Sequence, residues 1–291
     1  MNVKIIPFDK FHGRTHGTIG SSILRAYWLA DKWDEASIWN QGEDADVFIL
    51  QKVYWYEWMK DCKKPIILDL CDPDHWKYDK NLDREELKVA ELDGLVDAIT
   101  CSSEALTKEI KKYVKKIPVI TIEDRVNLNL IPKPKKHTEQ AEWVVWFGYS
   151  GNAREIFKHR HIVDSIAKSN LNLKIISESR FTLQDDFACE IENIDFDWDN
   201  FAYQLQEADM VVNPKLPTKQ FQFKSNNKTY ISWAHGLPVA NSGDDMRRLL
   251  DPVERQKEAD EKYELVKKEH IIEKSIEQYK QLIKEICGKQ K

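Results

Sequence analysis

Short apolar runs alternate along the chain with stretches whose apolar residues fall at helical spacing. The runs at 3–7, 46–51, 65–70, 98–101 and 119–122 are rich in Val and Ile and end at Pro, Asp, Asn or Ser. Nearly continuous apolar runs of this length read as parallel strands covered on both faces. Between them, residues 23–30, 54–59 and 81–97 read as helices, and a serine cap opens another at 102–106. A second series follows, with strands at 143–148, 171–177, 209–214 and 237–240. It has helices at 201–205 and from Ser225 or Asn226, the natural N-caps, to a C′ glycine at Gly236. Helices at 244–250 and 255–264 come next. A final amphipathic helix at 266–286 carries one apolar stripe, Ile271, Ile272, Ile276, Tyr279, Leu282, Ile283 and Ile286. Strand–helix alternation throughout predicts an α/β fold with parallel sheets.

At 291 residues the chain is long enough for two domains. A Pro- and Lys-rich segment at 131–136 separates the two series and marks the expected boundary. The domains are then 1–135 and 136–268, followed by the terminal helix at 269–291. A net charge of −5 leaves no electrostatic footprint of a dedicated nucleic-acid binder. The five cysteines show no CxxC spacing, so neither a zinc site nor a disulfide framework is expected, and a reducing, cytoplasmic location is. Residues 1–7 read as a first strand, not a signal peptide, and no apolar run is long enough for a membrane span.

Candidate chemistry gathers where strands end. After the strand closed by Pro214 come Lys224, Ser225, Asn226, Asn227 and Lys228, and then a helix. A helix N-terminus with two lysines at a strand's carboxyl end suits a phosphate; the same residues also suit a solvated loop that caps a helix. A loop with Gly17 and Gly20 follows the first strand, and Gly148, Asn152, Arg154 and Lys158 follow the strand at 143–148. Asp69, Asp72, Asp74 and His75 follow the strand at 65–70, as an N-cap cluster or as ligand-binding groups. Asp72-Pro73-Asp74 has the Asp-x-Asp spacing of a metal–diphosphate motif, but the flanking architecture is wrong for it.

The wording from Asp209 through Pro214, Lys224, Asn227-Lys228, Ala234 and Gly236 to Pro238-Val239 resembles the donor site of GT-B glycosyltransferases. The likeness is to the retaining, nucleotide-sugar-dependent group 1 (family 4-like) enzymes. The resemblance implies two Rossmann-like domains facing a cleft, with the C-terminal helix crossing back to the N-domain. It implies transfer of a hexosyl or pentosyl group from a nucleotide-sugar to an acceptor hydroxyl, with retention. Lys228 would stabilise the leaving diphosphate. Gly20, Gly148, Asn152, Arg154, Lys158, Lys224, Ser225, Asn226 and Asn227 would bind the donor, and Asp69, Asp72, Asp74 and His75 would meet the acceptor or, in an inverting enzyme, supply a catalytic general base. That acceptor would be a glycan or lipid-linked glycan. A modified DNA base is admitted by the fold and disfavoured by the acidic charge. The nucleotide-sugar is a co-substrate; no cofactor and no metal is expected. The chain departs from the pattern at Phe223 and Ile231, where the resemblance places two glutamates. That departure keeps open a non-catalytic GT-B scaffold, and a sugar-nucleotide epimerase stands beside it.

Overall fold

In the computed structural model, residues 1–14, 19–74, 89–152, 156, 160–180, 188–214 and 221–288 are described. Two compact units form. One comprises Met1–Arg125, Pro217–Ser225 and Ile272–Lys291, the other Val126–Leu216 and Asn226–Ile271.

The first unit is built on six parallel strands: β1 (Val3–Pro7), β2 (Ala36–Ile38), β3 (Val47–Gln51), β4 (Ile66–Leu70), β5 (Ala98–Cys101) and β6 (Val119–Thr121). Their order is β2-β1-β3-β4-β5-β6. β3 and β4 are buried along their whole length, as apolar runs in the middle of a parallel sheet must be. Phe223, from the inserted segment, packs into the core of this unit with Leu70, Leu106 and Ile110.

Helix Ile272–Gly288 belongs to the same unit. It buries Ile272, Ile276, Tyr279, Leu282, Ile283 and Ile286. Tyr279 stacks on Trp33 with centroids 6.2 Å apart. The apolar stripe is not one helix from 266 to 286. The preceding helix, Pro252–Glu269, starts on an Asp251 cap with Pro252 in its first turn and ends at His270. Ile271 instead forms a parallel bridge with Val126, which interrupts the helical run.

The second unit has five parallel strands: β7 (Trp143–Phe147), β8 (Asn172–Ser177), β9 (Ile191–Asp195), β10 (Met210–Val212) and β11 (Val239–Ala240), in the order β11-β10-β7-β8-β9. Helix Asn227–Ala234 links β10 to β11. It ends in a Schellman motif: Leu237 N–H donates to Ser232 O and Gly236 N–H to Trp233 O. Gly236 has φ +75°, and a Cβ there would lie 2.7 Å from the Lys135 amide, so only glycine fits. The Pro- and Lys-rich segment therefore lies inside this unit. Its Lys135 ammonium donates to Ala208 O and to Asp209 (3.2 Å).

Candidate functional site

In an open parallel sheet, ligands bind beyond the strand carboxyl ends, where the loops of two adjacent strands leave in opposite directions. In the second unit that point lies between β7, which leads to β8, and β10, which leads to β11. Gly148 follows β7 with φ +143°, and Asn213 follows β10. A Cβ on Gly148 would stand 3.0 Å from both Cε and Nζ of Lys228, so the missing side chain leaves the notch in which the lysine lies. The Lys228 ammonium sits 3.9 Å from the centroid of the buried Trp146 ring and 5.9 Å from that of Phe147. Lys228 is the second residue of helix Asn227–Ala234, so its charge and the helix dipole act at one place.

The cap of that helix differs from expectation. Asn226 is the N-cap but its side chain makes no capping bond, and the Ser225 hydroxyl donates instead to Asp124. Asn227 Oδ1 accepts from the Lys228 amide at 2.6 Å, and Asn213 Nδ2 donates to Thr229 Oγ1 at 3.4 Å. Asn152 lies in the helical turn after Gly148, where its amide donates to Tyr149 O (2.9 Å). Arg154 and Lys158 lie outside the described residues.

In the first unit the corresponding point lies between β1 and β3. Gln51 Oε1 accepts from the Phe8 amide (3.0 Å) and the Ser22 hydroxyl (3.1 Å). Lys52, at φ +55°, turns the chain out of β3 and donates to Asp72 Oδ2 (2.6 Å), with Asp74 at 3.6 Å. Burial opposes the Lys52 charge, but Cys71, Asp72 and Asp74 outweigh it and raise its pKa. Tyr54 O–H donates to Asp74 (2.7 Å). Lys224 reaches Asp72 Oδ1 (3.0 Å) from the inserted segment. The two lysines expected in one phosphate loop thus fall in different units: Lys224 and Ser225 in the first, Asn226 to Lys228 in the second.

Asp69 is not available to an acceptor. It is 0% exposed, and it accepts from Arg25 (2.7 and 2.5 Å), Thr100 (2.5 Å) and Tyr279 (3.0 Å). Arg25 also donates to Asp124 (2.6 Å) and to Ile122 O. Burial works against the Arg25 charge, yet the two aspartates hold its pKa well above the usual value. The result is a saturated core network, and its carboxylate has a structural role. His75 lies outside the described residues. Gly20 is exposed, opens a short helix at Gly20–Ser22, and has open space where a Cβ would stand, so nothing there demands glycine. Among the described residues no three His, Cys, Asp or Glu side chains cluster as metal ligands. None of the described helices is long and apolar enough to cross a membrane.

Trp146, Lys52 and Tyr54 were not singled out by sequence. Trp146 looked like core within an apolar strand, and only the lysine above it distinguishes it.

No family model matches the chain, and no curated protein does. Solved structures do. HepE from Anabaena, in complex with UDP, superposes with a TM-score of 0.64 at 9% identity, covering 98% of this chain and 100% of its own. T4 phage BGT with UDP and Mn2+ gives 0.60 at 11% identity, covering 97% and 99%. TarM gives 0.62 at 12% identity. The chain has the GT-B glycosyltransferase fold. It covers 54% of TarM, about half the length of that relative, with 81% of itself aligned. The GT-B likeness extends over both units in HepE and BGT, so both sheets of this chain fall within it.

Proposed function

We propose that the chain transfers a sugar from a nucleoside-diphosphate-sugar to an acceptor hydroxyl. The observation that carries this reading is Lys228, set in the Gly148 notch at the switch point of the second sheet and in the first turn of a helix. Positive charge and helix amides placed there stabilise the diphosphate as it leaves. HepE and T4 BGT were each solved with UDP, which supports a uridine donor. Asp72, Asp74 and Lys52 are the groups proposed to orient the acceptor on the first unit. Lys224 and Ser225 are proposed to hold the segment that carries the chain to Lys228, through Asp72 and Asp124.

Titration calorimetry with UDP tests the assignment. A charge-assisted contact contributes about 1.5–3 kcal/mol, so Lys228→Ala weakens UDP binding by at least about tenfold with the fold unchanged. Unaltered binding by this variant overturns the assignment.

One observation favours a second reading. Phe223 is buried in the core of the first unit, and Ile231, half-buried, packs against the apolar cluster of the second. Where the family resemblance places two glutamates, this chain has packing residues, as a nucleotide-binding scaffold without transfer would. Slow hydrolysis of UDP-glucose or UDP-N-acetylglucosamine separates the two: a transferase leaks donor to water, and a scaffold that binds UDP does not.

A further inference from the structure

Three neighbouring strands of the first unit each lead into a partly exposed aromatic ring. Past the carboxyl ends of β2, β1 and β3 stand Trp39, Phe11 and Trp55. Trp55 is the hub. It stacks on Trp58 with centroids 5.3 Å apart, meets Phe11 at 5.4 Å and takes Trp39 edge-on at 6.3 Å. From Phe11 the contacts continue through His12 (5.1 Å) to Phe8, 4.5 Å further on. The Phe8 ring centroid lies 5.4 Å from the Lys52 ammonium. The row thus starts at Lys52, one of the groups proposed to orient the acceptor, and runs outward to the sheet edge at β2.

These rings pack on the core cluster of the unit yet stay partly in water, which forgoes some of the burial that large aromatics offer. The rim beside them is polar. Trp39 N–H donates to Glu43 O (3.0 Å), the Asn40 amide to the Glu43 carboxylate (3.0 Å), and Lys10 to Asn40 (2.7 Å). A sugar is amphipathic in the matching way. Its hydroxyls seek carboxylates and amides, and its axial C–H groups, slightly positive, face the negative side of an aromatic ring. A single-stranded nucleic acid also stacks on such rings but needs a cationic track for its phosphates. Here Lys4 is paired with Glu43 (2.9 Å) and Lys52 with Asp72 (2.6 Å). The ends of β2 and β3 are two strand spacings apart, about 10 Å, more than one sugar unit covers. We propose that this row is the outer part of the acceptor site and that the acceptor is an extended glycan. Its units beyond the reacting one lie across Phe11, Trp55 and Trp39. This rests on the reading of Lys52, Asp72 and Asp74 as acceptor-orienting groups, and it selects a chain over a single sugar.

The test is retention on an array of oligosaccharides of graded length, with single-stranded oligonucleotides alongside, followed by calorimetry on the best-retained series. Affinity is expected to rise with chain length. Trp39→Ala, at the outer end of the row, is expected to weaken the longest member about tenfold and the disaccharide less than about twofold. Fluorotryptophan throughout the intact chain gives a second readout. The fluorine resonances of Trp39 and Trp55 should shift on adding the longest member, and that of Trp33, 1% exposed and stacked on Tyr279, should not. Should Trp39→Ala not fold, those resonances decide alone. No retained glycan, equal affinity at every length, or an equal Trp39→Ala loss for short and long members overturns the proposal. So does a preference for oligonucleotides that fades with salt. UDP calorimetry on the same protein keeps the two readings apart. A chain that binds UDP and no glycan fails here alone, and one that binds a glycan but not UDP fails the donor reading instead.

Discussion

At the residue scale, the buried polar side chains are sorted by how they are satisfied. The Asp69 carboxylate takes four hydrogen bonds from three residues and has nothing left for a ligand. Two histidines of the second unit are satisfied as neutral rings. His235 Nδ1–H donates to Ile231 O (2.7 Å). His137 Nε2–H donates to Gly236 O (2.8 Å), and its Nδ1 accepts from Arg255 (3.1 Å). Burial is the main cause that lowers both, from 6.5 to about 4. A histidine whose folded pKa is depressed leaves stability untouched above its unfolded pKa. As pH falls below 6.5 the unfolded chain takes up a proton that the folded ring refuses, until about pH 4. For His235 this shift corresponds to on the order of 3 kcal/mol. The second unit is therefore expected to lose stability steeply between pH 6.5 and 4, and His235→Asn to flatten that slope. Hydrogen exchange of β7, β8 and β10 peptides across this range checks it; an unchanged slope in the variant counts against the assignment.

At the scale of elements, helix Ile272–Gly288 is a structural member of the first unit. It closes the Arg25 network through Tyr279, and Arg125 donates to its Ser275 (2.9 Å) and Gln278 (2.7 Å). Removing residues from 272 onward strips the cover from Trp33 and leaves Asp69 short of a donor. Protection is then expected to fall in β1, β4 and β5, with Trp143–Leu250 largely unaffected; the reverse pattern would place the helix with the second unit. Much of this was legible beforehand. Central strands such as β3 and β4 are unbroken apolar runs, and the Gly236 stop is a chemical signal with one geometric solution. Other elements were hidden by their composition. β2 is three residues at a sheet edge, and β9 has no fully buried residue, so neither writes an unbroken apolar run into the sequence. The site was less legible than the fold. Lys228 could be singled out as a lysine opening a helix, whereas Trp146 and Lys52 matter through neighbours distant in sequence. Lys224 stood beside Lys228 in the text and is engaged elsewhere, by Asp72.

At the scale of the whole molecule, the proposed chemistry places a lysine and a helix N-terminus, not a metal ion, opposite the diphosphate. Transfer from a UDP-sugar is accordingly expected to persist in excess EDTA at no less than about half its rate. Abolition by the chelator with recovery on adding Mn2+ would show that metal neutralises the leaving group instead. Both units are also discontinuous: the chain passes between them at Arg125/Val126, Leu216/Pro217, Ser225/Asn226 and Ile271/Ile272. This has a consequence during synthesis. Tyr279 lies 210 residues beyond the aspartate it completes. At 5–20 residues per second a ribosome takes roughly 10–40 s to cover that distance. Within that interval β5, β6 and then every strand of the second sheet are translated, so the helix that covers Trp33 and completes the Asp69 network is the last element of the first unit to be made.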